Sequence, residues 1–87
     1  MPTVQFCVKG TVQGVGFRVF VETTALMSGL TGEVWNCRDG SVRGVATGEA
    51  LEEFIEVLWK GPGRVDTVTH DIAPDQEFSG FSMGATR

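Results

Sequence analysis

The hydrophobic period of this chain switches from two to 3.6 and back, and does so twice, with an Asp39-Gly40 pair between the two rounds. Val4, Phe6 and Val8 alternate with Gln5, Cys7 and Lys9, which is the pattern of a half-buried strand over residues 3–9. Residues 10–16 are punctuated by glycine and read as a loop. From Phe17 the spacing becomes helical: Phe17, Phe20, Val21, Thr24, Ala25 and Ser28 form one stripe, and Gly29 is placed to cap its end. A second strand follows over residues 33–37, with Val34 and Asn36 on one face and Trp35 on the other. Asp39-Gly40 signals a tight hairpin into a third strand over residues 41–46. Leu51, Phe54, Ile55 and Leu58 then mark a second helix over residues 49–60, and Gly61-Pro62-Gly63 stops it. Residues 65–72 read as a fourth strand, in which Val65 and Val68 are out of phase, so a bulge or a late start is expected. Residues 78–83 offer one more short strand.

The order β-α-β-β-α-β predicts an α+β, ferredoxin-like sandwich, with two helices on one face of an antiparallel sheet and an extra C-terminal strand. The 87 residues fit a single domain spanning 1–87. In this topology each strand-helix-strand unit leaves a gap that a strand of the other unit fills. Strands one and two are therefore parallel and end at the same sheet edge, two strand spacings or roughly 10 Å apart. Arg18, just after the first loop, and Asn36, at the end of strand two, can thus converge on one small ligand. Cys7 and Cys37 lie on non-neighbouring strands and are not expected to bond to each other.

Bulk properties remove several functions. A net charge of −4 argues against nucleic-acid binding, which rests on a basic surface. No apolar run approaches the roughly 18 residues of a membrane span, and the first residues do not resemble a secretory leader. We therefore expect a cytoplasmic monomer with two reduced thiols and neither nucleic acid nor membrane as a partner. His70 is the only histidine, so a histidine pair is excluded from catalysis, and one histidine with two scattered cysteines makes a poor zinc site. No metal or cofactor is expected.

The loop Gln13-Gly14-Val15-Gly16-Phe17-Arg18 is the feature richest in chemistry. A glycine-rich turn between a strand and a helix start aims several main-chain N–H groups at one point, where the helix dipole adds positive character. Gly14 and Gly16 permit the turn, and Arg18 adds a bidentate cation suited to phosphate oxygens. The dipole opposes a cation at a helix start, and an arginine tolerated there suggests an anionic ligand. Gly-x-Gly alone is weak evidence, since it matches neither the Walker loop nor the full dinucleotide fingerprint. Asn36 read alone is a turn-entry residue, and Asp39 belongs to the hairpin turn.

Two segments together are more specific. Val12-Gln13-Gly14-Val15-Gly16-Phe17-Arg18 resembles the signature of the acylphosphatase family, and Asn36-Cys37-Arg38-Asp39-Gly40-Ser41-Val42 resembles its second motif. The resemblance implies a ferredoxin-like, metal-independent hydrolase. It would cleave the carboxyl-phosphate bond of small acyl phosphates, such as 1,3-bisphosphoglycerate or carbamoyl phosphate. It also implies that residues 13–18 bind the phosphate, that Arg18 is catalytic and that Asn36 positions water. The alternative is a non-catalytic module binding phosphate or carbamoyl phosphate, since a similar domain opens a large hydrogenase-maturation carbamoyltransferase.

Overall fold

A computed structural model describes residues 1–87. Its elements follow in the order β1 (Thr3–Thr11), α1 (Phe17–Met27), β2 (Thr31–Asn36), β3 (Val42–Thr47), α2 (Leu51–Leu58), β4 (Arg64–Ile72) and β5 (Phe81–Met83). The sheet order is β4-β1-β3-β2-β5. β3 runs antiparallel between β1 and β2, as two interleaved strand-helix-strand units require, and β4 pairs antiparallel with the outer side of β1.

The sheet differs from the expected antiparallel one at its far edge. β5 pairs with β2 in parallel, with Gly32 opposite Phe81 and Val34 opposite Met83, so the sheet is mixed. The cause is topological: β4 occupies the opposite edge, and the chain crosses the sheet's width through residues 73–80 before it can pair again. It therefore arrives at β2 running in the same sense.

One face of the sheet carries the core. Phe6, Val8, Val34, Val42 and Ala46 pack with Phe17, Val21 and Ala25 of α1 and with Leu51, Phe54, Ile55 and Leu58 of α2 in one cluster. Each large apolar side chain so buried contributes about 1.5–3 kcal/mol. The alternation read for β1 holds, and the phase slip in β4 is real. The β1–β4 register shifts between Lys9 and Gly10, which pair with Thr67 and Val65 and leave Asp66 as the extra residue.

α1 ends in a Schellman motif. Gly29 at φ 70° lets the Leu30 N–H reach the Ala25 carbonyl and its own N–H reach that of Leu26. Leu30 is thereby turned into the core beside Ala25. At the end of α2, Gly61 abuts Phe17 and Phe20 so closely that a Cβ there would overlap the Phe17 ring. Phe17 and Phe20 have ring centroids 5.8 Å apart. The start of α1 is thus seated on the end of α2.

The Asp39-Gly40 turn is looser than the two-residue form. No residue other than glycine has positive φ, so Asp39 does not adopt the left-handed backbone that form needs. Instead Gly40 alone does, at φ 93°, and the Gly40 N–H closes on the Cys37 carbonyl while the Cys37 N–H bonds to Ser41. Asp39 Oδ1 accepts from the Ser41 N–H at 2.9 Å and from its hydroxyl at 2.6 Å. Cys7 and Cys37 are both free thiols.

Candidate active site

The loop from Val12 to Phe17 is pinned at both ends by side chains with less than 2 % exposure, Val12 and Phe17. Between them Gly14 and Gly16 take φ 73° and 81°, the left-handed region where an L side chain costs about 1–2 kcal/mol. Both glycines face open space, so only the backbone conformation demands them. Gly16 is the N-cap of α1 and brings no side chain to the helix start, and the first intrahelical bond runs from the Phe20 N–H to the Gly16 carbonyl. The amides of residues 13–19 have no acceptor in the protein. Four unpaired amides are expected at any helix start; here the loop adds its own, and no side chain caps any of them.

Gly14, Gly16, Phe17 and Arg18 line a cleft of about 170 Å³ together with Asn36. Arg18 is half-buried, and its side chain makes one long hydrogen bond to the protein, Nη1 to the Gly84 carbonyl at 3.5 Å. The ion pairs of the chain are Arg43–Asp39, Arg64–Asp66 and Arg87–Glu33, so no carboxylate neutralises Arg18. The first turn of α1 holds no acidic residue either. Asn36 closes the other side, on the last rung of β2 opposite Val42. Its Oδ1 is buried and has no hydrogen-bond partner. Leaving such an acceptor unpaired costs about 1–3 kcal/mol.

Two of the anticipated loop residues do not line this cleft. Val15 lies outside it, partly exposed. Gln13 turns its side chain away: Nε2 donates to the Cys37 carbonyl at 2.7 Å and to the Ser41 carbonyl at 3.0 Å. Its side chain braces the loop against the β2–β3 hairpin. Val12, Val19 and Met83 line the cleft and were not anticipated. Val19 follows from the helical position next to Arg18, whereas Met83 depends on the parallel docking of β5, for which the sequence carried no signal. Asp39 stays in the turn, its carboxyl held below the usual range by the Ser41 hydroxyl and amide and by Arg43. His70 is exposed on β4 and Trp35 lies on the opposite face of β2 from Asn36, both away from the cleft.

Comparison with known proteins agrees with this geometry. The sequence model of the family described as Acylphosphatase matches residues 4–83. A protein of Mycolicibacterium smegmatis named acylphosphatase is 50% identical over 80 residues, covering 86% of this chain and 82% of its own. One of Thermus thermophilus with the same name is 44% identical over 87 residues, covering 95% and 99%. The crystal structure of acylphosphatase from Bacillus subtilis superposes with a TM-score of 0.92 at 35% identity, covering 97% of this chain and 99% of the other. With both motifs on one cleft and the ferredoxin-like topology in place, this chain belongs to the acylphosphatase family.

Proposed function

We propose that the protein hydrolyses the carboxyl-phosphate bond of small acyl phosphates, with the phosphate held at the start of α1 and the attacking water held by Asn36. The observation that carries this reading is the convergence on one cleft of unpaired loop amides, a guanidinium without a carboxylate and a buried amide oxygen without a donor. The first two suit a dianion. The third does not: a carbonyl oxygen and a phosphate oxygen are both acceptors, so Asn36 Oδ1 calls for a donor such as water. That requirement favours hydrolysis over a module that only binds phosphate.

An acyl phosphate is a mixed anhydride whose leaving group, a carboxylate, is stable at neutral pH. Its departure needs no strong general acid. Water attacks phosphorus in line, the P–O bond to the acyl group breaks with its electron pair going to the carboxylate, and the water proton passes to a phosphate oxygen. Phosphoryl transfer spreads charge over the equatorial oxygens, so positioning and charge stabilisation supply most of the catalysis. The amides of residues 14–18 and the Arg18 guanidinium supply the charge, and Asn36 supplies the alignment.

We place the protein in the cytoplasm, where two free and partly accessible thiols fit a reducing compartment. No helix is long and apolar enough to cross a membrane. The net charge of −4 speaks against a nucleic-acid partner. The test of the activity is the steady-state hydrolysis of benzoyl phosphate in the presence of a metal chelator, with inorganic phosphate as competitor. Turnover that phosphate inhibits competitively is expected. A folded protein that binds phosphate without turnover would overturn the hydrolase reading in favour of a binding module.

A further inference from the structure

Asn36 sits where the β2–β3 ladder ends and the hairpin begins. On one side it is held by β3, opposite Val42. On the other side β5 has already stopped at Met83, two rungs short of it. The gap is closed by the segment Gly84–Arg87, which continues along β2 beyond the regular strand. The Gly84 N–H donates to the Val34 carbonyl at 2.8 Å, and the Arg87 N–H donates to the Asn36 carbonyl at 2.8 Å. The Arg87 carbonyl in turn accepts from the Arg38 N–H at 2.8 Å. The main chain of Arg87 therefore brackets Asn36 from the side that β3 leaves open.

The same segment reaches Arg18, since the Gly84 carbonyl is its protein acceptor. Both residues assigned to the chemistry thus touch this segment, Arg18 through its side chain and Asn36 through its main-chain carbonyl. Between the two anchored ends, Ala85 and Thr86 are exposed. Besides these main-chain bonds, the Arg87 side chain ties the segment to β2. It crosses to the outer face of β2, pairs with Glu33 and lies 3.7 Å above the Trp35 ring. Glu33 and Trp35 are two residues apart on one strand, so they present a carboxylate and an aromatic face side by side. Without this clasp only the main-chain bonds at its two ends hold the segment, and fraying there would free Asn36 on one side.

We propose that Arg87 is a positioning residue: by clasping Glu33 and Trp35 it fixes the main chain of Asn36, and through it the angle at which Asn36 presents water. The proposal rests on the hydrolase reading given above, and it separates Arg87 from binding. Arg87 lies on the face of β2 opposite the cleft and does not line it.

The experiment compares Arg87→Ala, Arg87→Lys and the unaltered protein on benzoyl phosphate, with inorganic phosphate as inhibitor. Thermal melts check the fold. Arg87→Ala is expected to lower kcat about 10-fold, with KM and the phosphate inhibition constant changed by less than about twofold, because a misplaced water slows the reaction without loosening the phosphate. Arg87→Lys, which keeps a cation over the ring and beside the carboxylate, is expected to restore most of kcat. Unchanged kcat in Arg87→Ala overturns the proposal. So does a parallel loss of kcat, phosphate affinity and melting temperature, which would make Arg87 a structural residue only. A second readout works without turnover: the side-chain amide resonances of Asn36 in ¹⁵N-labelled protein, with and without inorganic phosphate. A shift of these resonances in Arg87→Ala that Arg87→Lys reverses supports the clasp even if the unaltered protein proves inactive, and unmoved resonances overturn it.

Discussion

Two glycine-containing loops meet at the same edge of the sheet, and they differ in how their polar groups are used. The hairpin over residues 37–41 is closed on itself: the Cys37 and Gly40 amides have main-chain acceptors, and Asp39 caps both the amide and the hydroxyl of Ser41. The loop before α1 is open: its amides meet no acceptor in the protein, and the cation beside them has no carboxylate. Both use glycine at positive φ, so glycine alone does not separate a ligand loop from a structural turn. The difference lies in the accounting of donors and acceptors. A buried or half-buried polar group left over by the fold marks where a guest belongs. Gln13 joins the two loops, holding the open one in place by bonds to carbonyls of the closed one.

Substitutions can break this contrast, and the largest effects belong to the open loop and its partner. Arg18→Ala is expected to lower benzoyl phosphate turnover by about 10³–10⁵, and Asn36→Ala by about 10²–10³, with the circular dichroism spectrum unchanged. Near-normal turnover in either folded variant would remove that residue from its role. Gly16→Ala comes next. It asks an alanine to hold φ 81° with no clash to relieve, so the strain of about 1–2 kcal/mol is expected to rotate the amides and slow turnover about 10- to 100-fold. A Gly16→Ala protein as fast as the parent would show that the loop dihedrals are not what aims the amides.

Gln13→Ala should cut the brace without touching the cleft. Two hydrogen bonds to main-chain carbonyls are lost, and a urea titration is expected to show about 1–3 kcal/mol less stability. The smallest effect sits in the closed loop. Asp39 has a lowered carboxyl pKa, caused first by the Ser41 hydroxyl, then by its amide and by Arg43. A depressed folded value means the carboxylate contributes stability above its ordinary range and loses it as pH falls through the depressed value. Asp39→Asn should therefore lower the melting temperature slightly near neutrality, and the gap between the two proteins should close below about pH 4. A gap that persists unchanged into acid would mean that the turn does not depend on the charge.

The regular elements were legible because each carries enough residues to display a period. Phe17, Val21 and Ala25 show the helix face, and Phe6 and Val8 show the strand face, whatever lies around them. Arg18 and Asn36 were legible as a pair because topology alone brings the ends of β1 and β2 together. β5 was legible only as a short extra strand. Three residues, of which only Phe81 is buried, show no period, and nothing in Phe81-Ser82-Met83 reveals a parallel partner. Met83 was therefore invisible as a residue of the cleft, and the docking of Gly84–Arg87 equally so. Gln13 sits inside the glycine-rich loop motif, and only the positions of the Cys37 and Ser41 carbonyls explain why its side chain points away from the cleft.

The fit of Gly61 against Phe17 carries a consequence for how this protein tolerates change. A single added methyl at the far end of α2 would press on a ring whose own amide helps form the cleft. A surveyor of neutral surface positions would pass over Gly61, a partly exposed residue beyond a helix end, yet it abuts the ring at the start of α1, the end at which we propose the phosphate is held. Drift at that position is thus expected to alter chemistry before it alters folding.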